Sequence, residues 1–251
     1  MQKIYKISLL TIIGLVALYT FQGYYQDFMH FFSNAFPPII AGAAVIMSGF
    51  SLKRYWRKSK GQFPLVWLYF AIGLLLWFLG EVFWALYTLV LGVELPYPSI
   101  ADAFWVAGYI PFFIALYWYV KLFSRALTKK MLALSMAATT ALTIIVADTL
   151  FTYNFMTEEN LAALIMDFAY PILDLLLFSV AHIGLTIFWK GKLGKSWLLI
   201  SAATVTDTCA DALFSYTTAQ GAYYSGHMLD VLFCIAYLFY LMAFYIHTKE
   251  F

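Results

Sequence analysis

Charge is what these 251 residues have least of. Asp, Glu, Lys and Arg make up 11% of the chain against 64% hydrophobic residues, and the mean hydropathy is +0.82. That balance excludes a soluble domain. Cysteine is almost missing, and Cys209 and Cys234 both fall within apolar stretches, so no disulfide framework is expected. The 4 His are scattered along the chain, unlike the clustered imidazoles of membrane zinc hydrolases. Ser48-Gly49 has no suitable His beside it for a serine-protease dyad. No Gly-rich phosphate loop is present, and the last apolar segment has no Lys for a retinal Schiff base of the rhodopsin type. With no nucleophile or metal set to assemble, no catalytic residue is assigned, no cofactor is expected, and an enzyme is the less favoured class.

Apolar runs fill the space that charge leaves. A membrane-crossing helix needs about 20 mostly apolar residues. The chain offers eight such segments, at about 4–22, 33–52, 64–92, 100–122, 131–152, 171–189, 197–217 and 228–247, within one integral membrane domain spanning 1–251. The first lacks a small-residue cleavage site and is expected to be retained rather than removed as a signal peptide. Pro37-Pro38 is expected to set where the second helix begins. The fold class is therefore all-α and polytopic, built as four helical hairpins.

The second absence is of basic residues from half of the connections. All 15 Lys and Arg lie on one side: Lys3 and Lys6 before the first segment, Lys53 to Lys60 in the second connection, Lys121 to Lys130 around the fourth, Lys190 to Lys195 in the sixth, and Lys249 after the last. The positive-inside rule makes that side cytoplasmic and places both termini there. The opposite connections, 23–32, 93–99, 153–170 and 218–227, hold Asp27, Glu94, Glu158, Glu159 and Asp167 and are rich in Tyr and Phe, as in an interfacial aromatic belt. Thr157-Glu158-Glu159-Asn160 resembles a helix start with acids in its first turn. It predicts a short surface helix; the alternative is one long sixth helix from about 161, kinked at Pro171. The basic loops are topology signals with a secondary attraction for anionic lipid, and no nucleic-acid partner is expected.

Carboxylates placed inside the apolar segments carry whatever chemistry there is. Ser201, Thr204, Asp207, Thr208, Asp211 and Ser215 follow steps of three and four and form one polar stripe on the seventh segment. An Asp at the centre of a membrane helix costs about 2.5 to 3.5 kcal/mol on insertion scales, so the stripe must face the bundle interior or a wet cavity. A hydrogen-bonded seam between helices is the plainer reading. Glu81 and Asp148 lie in the outer parts of the third and fifth segments, and no Lys or Arg lies at their depth. Buried carboxyls without cations must be protonated, hydrated or neutralised by a bound cation. Asp102, Asp174 and Asp230 each fall in or near the first turn of a helix, where capping explains them as well as a cavity mouth does. Ser99 with Asp102 is close to a capping box. His227, Asp230 and Cys234 share a helical face within reach of Asp211, a weak candidate set for a metal. His182 reads as a packing residue, and His30 and His247 as interfacial.

Three hairpins, at about 64–122, 131–189 and 197–247, look like divergent copies of one unit: an acid-bearing helix, an outer turn, then a helix with an early Asp. The closest internal match sets Asp102 to Tyr109 against Asp230 to Tyr237, the same seven-residue step. The run Tyr97-Pro98-Ser99-Ile100-Ala101-Asp102-Ala103-Phe104-Trp105-Val106-Ala107-Gly108-Tyr109, followed by Tyr170-Pro171-Ile172-Leu173-Asp174, resembles the multi-pass membrane sensor regions of prokaryotes that precede histidine kinase or cyclic-di-GMP-turnover domains. The resemblance covers about residues 64–247 and implies sensing of a ligand or membrane state. As the chain stops at Phe251 with no output domain, it implies a partner supplying the output, with a homo-oligomer as one form. The expectation is a sensor with an outward acidic cavity for a cation, proton or small amine, lined by Glu81, Asp148, Asp207 and Asp211, with Asp102, Asp174 and Asp230 at its mouth. The rival is a proton- or cation-coupled transporter using the same acids as a relay.

Overall fold

The structure, a computed structural model, describes residues 2–58, 61–93, 96–153 and 160–250. Glu94 and the expected helix start at Thr157, Glu158 and Glu159 lie outside the described residues. The chain is 87% helical, with no strand among the described residues. The helices are α1 (Gln2–Thr20), α2 (Gln26–Lys58), α3 (Phe63–Ala85), α4 (Ile100–Leu122), α5 (Lys129–Tyr153), α6 (Leu161–Phe188), α7 (Gly194–Ala219) and α8 (Asp230–Glu250). Seven of them, α2 to α8, are long and apolar enough to cross a membrane, and the apolar run of α1, Ile4–Thr20, is shorter.

Six helices close a ring. α2 packs on α3, α3 on α4, α4 on α6, α6 on α7, α7 on α8, and α8 returns to α2. The other two lie outside it. α5 rests against α6 and α7, and α1 rests on α8, where Leu15 and Tyr19 meet Met29, Val231 and Cys234. In lipid there is no hydrophobic force between helices, so packing and interhelical hydrogen bonds hold the ring. The α3–α4 seam shows how. Gly73, Gly80 and Gly108 let the backbones approach: Gly73 lies against Phe112, a Cβ on Gly108 would overlap the Trp77 ring, and a Cβ on Gly80 would sit 2.5 Å from the Trp105 indole nitrogen. The Trp77 indole N–H in turn donates to the Trp105 carbonyl at 3.0 Å.

Two expectations about helix ends are corrected. α2 begins at Gln26, well before Pro37 and Pro38, which lie inside it. The prolines do not start the helix, because the turns before them are supported by packing: Phe28, Phe32 and Phe36 stack in succession, with centroids 5.7 and 4.9 Å apart. α6 is one helix from Leu161 with Pro171 inside it, not a short surface helix followed by a span. Asn160 caps it, its Oδ1 accepting the Ala162 N–H at 3.0 Å.

At the basic end the ring is filled with aromatic side chains. Tyr55, Phe63, Trp67, Tyr119, Phe188 and Trp197, from α2, α3, α4, α6 and α7, meet around His247 of α8 or one another. His247 is buried among them. It is 3% exposed, with Nδ1 2.9 Å from the Tyr55 hydroxyl and Nε2 2.8 Å from the Tyr119 hydroxyl. A neutral imidazole donates through one nitrogen and accepts through the other, so two phenols satisfy it without any charged partner. His182 stacks on Phe178 at 5.4 Å, yet its Nδ1 has no hydrogen-bond partner.

The seam predicts a contrast between glycines. Gly108→Ala should destabilise the purified protein by about 1–3 kcal/mol through overpacking against Trp77. Gly14→Ala, where nothing lies within 4 Å of a Cβ, should leave thermal unfolding in detergent unchanged or slightly raised.

Candidate functional site

At the end away from the basic residues the ring does not fill. The early turns of α2, α4, α6 and α8 and the late turns of α3 and α7 surround a cavity of about 120 Å³. Tyr97 and Tyr223, from the connections before α4 and α8, also line it. Five acids reach it: Glu81 of α3, Asp102 of α4, Asp207 and Asp211 of α7, and Asp230 of α8. Among the described residues no Lys, Arg or His lines it. The α7 stripe faces inward as its spacing required: Ser201, Thr204, Thr208 and Ser215 are buried.

Phenols take the place of cations. Tyr237 donates to Glu81 Oε1 at 2.9 Å, with the Trp105 indole a further hydrogen-bonding neighbour of that carboxyl. Tyr170 donates to Asp102 Oδ1 at 2.7 Å. Tyr109 donates to Asp174 Oδ1 at 2.6 Å and lies 3.4 Å from Asp211 Oδ2. Tyr223 donates to Asp230 Oδ1 at 3.1 Å, and Tyr97 to Asp167 Oδ1 at 2.8 Å. Tyr97 and Tyr223 lie outside the apolar spans. Burial pushes both phenols well up, and the neighbouring Asp167 and Asp230 charges add to it. Both therefore remain O–H donors at neutral pH.

Asp102 and Asp230 lie in the first turns of their helices and line the cavity, whereas Asp174, expected near a first turn, lies in the middle of α6, which begins ten residues before Pro171. Asp102 Oδ2 accepts the Ser99 N–H at 2.6 Å and the Ser99 hydroxyl at 2.8 Å, a complete capping box, while Oδ1 takes the Tyr170 phenol. Asp230 Oδ2 accepts the Gly226 N–H at 2.9 Å. The matching steps Asp102–Tyr109 and Asp230–Tyr237 do matching work: a first-turn acid accepts a phenol, and the phenol two turns later donates to an acid of another helix.

Asp207 is different. It lines the cavity, keeps part of its surface open there, and has no hydrogen-bond donor among the described residues. Glu81 and Asp211 are its charged neighbours. Asp174 lies behind the wall, 2% exposed, beside the Asp211 carboxyl. Its Oδ2 takes no N–H or hydroxyl donor among the described residues, which leaves the Asp211 carboxyl as its polar neighbour.

Three other expected site residues, Asp148, Cys234 and His227, are not brought together with these. Asp148 belongs to α5, outside the ring, on an exposed face, and does not line the cavity. Cys234 faces Tyr19 and Met29 in the α1 groove. His227 caps the approach to α8, its Nδ1 accepting the Leu229 N–H at 3.3 Å, and burial lowers its pKa. Among the described residues no three of His, Cys, Asp and Glu stand close enough to hold a metal ion, so the proposed set of His227, Asp230, Cys234 and Asp211 does not assemble.

Several lining residues were invisible to sequence reasoning. Asn34 donates to Ser225 Oγ at 2.6 Å and accepts the Trp84 indole N–H at 2.8 Å, tying α2, α3 and the loop before α8 together at the mouth. Pro37 and Pro38 have no N–H to give the carbonyls of Ser33 and Asn34 four residues back, and Ser33, Asn34 and Pro37 all line the cavity. An interior proline beside polar residues was the available signal.

No family model matches this chain, and neither a curated protein nor a solved structure does. Function rests on the site alone.

The phenol–carboxyl pairs predict that Tyr170→Phe, which strands the buried Asp102 oxygen, costs about 1–3 kcal/mol of stability. In a double-mutant cycle with Asp102→Asn the two losses should fall short of additive, read from unfolding midpoints in detergent.

Proposed function

We propose that this is a receptor-like membrane protein whose outward-facing acidic cavity binds a positively charged ligand: a cation, a proton or a small amine. In this reading α1 is an eighth span, both termini are cytoplasmic, and the cavity opens on the face away from the 15 Lys and Arg. The observation that carries it is the closed six-helix ring around five lining acids with no cation among them. Such a cavity attracts positive charge, since the acids are already oriented by phenols and lack only a counter-charge. Ligand binding across α3, α4, α7 and α8 favours whichever helix arrangement holds it best, and the cytoplasmic helix ends pass that shift to a signalling partner, as the likeness to prokaryotic sensor regions implies.

The transporter reading uses the same acids, but alternating access needs a route to the other face. The aromatic plug around His247, tied to both Tyr55 and Tyr119, favours a pocket open on one side.

Two measurements test this. A cation or pH change that binds the cavity should raise the unfolding temperature of purified protein. A ligand at about 100 times its Kd stabilises by about 2.7 kcal/mol. Asp207→Asn with Asp211→Asn should abolish that rise while the helical signal stays intact; an equal rise in the double variant would sink the cavity reading. Proteoliposomes should show no ligand-dependent uptake, and saturable uptake would transfer the assignment to transport.

A further inference from the structure

Three kinds of positive ligand compete for the cavity, and its walls separate them. A metal ion asks for several oxygen or nitrogen ligands converging at bond distance. Among the described residues no such group exists, and most of the acids already spend oxygens on phenols or backbone N–H groups. A proton needs no room, whereas the cavity offers about 120 Å³. A hole of comparable size in another protein, about 150 Å³, takes up a benzene molecule, so the space here suits an organic ligand of about six heavy atoms.

Aromatic faces supply the rest of the recognition. Trp84 and Trp105 lie side by side in the wall with centroids 6.0 Å apart, and Trp77 meets Tyr109 edge to face at 5.2 Å. An organic cation over such rings gains cation–π attraction, more so where water is excluded. Opposite charge is at hand in Asp207, the lining acid with no donor of its own. Behind the wall, Asp174, 2% exposed, sets its carboxyl beside that of the lining residue Asp211, and its Oδ2 takes no N–H or hydroxyl donor among the described residues. Two adjoining buried carboxyls are relieved by a shared proton or by positive charge near them.

We infer that the cavity takes a small organic ammonium ion of about six heavy atoms, with Asp207 as its ion partner and the Trp84–Trp105 pair as its aromatic wall. This rests on the cationic-ligand reading above and narrows it to one chemical class. Asp211 and Asp174 stand behind Asp207 and add negative potential, while Glu81, Asp102 and Asp230 stay engaged with Tyr237, Tyr170 and Tyr223.

The test uses the full chain in detergent or nanodiscs, with intrinsic tryptophan fluorescence and calorimetry. The probes are methylammonium, isobutylammonium and tetramethylammonium, their neutral counterparts isobutanol and tert-butanol, and Na⁺, K⁺ and Ca²⁺. At least one ammonium probe should change the fluorescence saturably, and the neutral counterparts should not at the same concentration. Asp207→Asn should weaken that binding tenfold or more, Asp207→Glu by a few-fold only, and Asp148→Asn not at all. The comparison of charged with neutral probes on the unaltered protein holds even if a variant fails to fold. A response to inorganic cations or to pH that needs Asp207, with none to any ammonium probe, would overturn the ammonium assignment and leave the cationic cavity standing. Equal binding of isobutanol and isobutylammonium would also overturn it. Silence from every probe would remove both.

Discussion

Everything at the acidic end of this bundle follows from burying carboxyls with no basic side chain beside them among the described residues. The usual partner of a buried acid is missing there. Phenols replace it. Each of Glu81, Asp102, Asp167, Asp174 and Asp230 accepts a tyrosine O–H between 2.6 and 3.1 Å. A phenol meets the acid's need for a donor without cancelling its charge, which a lysine or arginine would do. The outcome is an array of acids held in place by hydrogen bonds that leave their charge uncompensated.

The same bonds organise the helices. Tyr109 of α4 reaches Asp174 of α6 while Tyr170 of α6 reaches Asp102 of α4, a reciprocal clasp across one seam. Tyr237 joins α8 to α3 through Glu81, although those two are not adjacent in the ring. In lipid an interhelical hydrogen bond of this sort is worth about 0.6 kcal/mol on average, up to about 2, so no single pair holds the fold. Together with the glycine-mediated approach of α3 and α4 they fix which helices neighbour which, and hence which acids share the cavity.

How much of this could be read from the sequence divides along local and distant information. The inward stripe of α7 and the Ser99–Asp102 capping box were legible because both are patterns within one helix. So was the shared step in Asp102–Tyr109 and Asp230–Tyr237, though not what it does. The partners were not legible: Tyr170 is 68 residues from Asp102 and Tyr237 is 156 from Glu81, and helical periodicity carries no information at that range. Asp148 misled for the same reason. Its depth on α5 matches that of an acid facing the cavity, but only the ring closure of α4 onto α6 reveals that α5 is left outside. The burial of His247, near Lys249, was equally out of reach, because the two phenols that hold it come from α2 and α4.

The two ends of the ring show what aromatic residues do in each setting. Around His247 the rings fill the space, and the imidazole nitrogens are both used. At the other end the rings line a void, and the oxygens of Asp207 are unused. Filling is the lower-energy solution wherever side chains can reach it, since a void forfeits contacts on every wall. At the acidic end, filling would press apolar groups onto carboxyl oxygens and remove what hydration they keep. The void is therefore a consequence of the acids, and the ammonium ion proposed for it would satisfy both walls at once. It would offer apolar surface to the indoles and positive charge to Asp207.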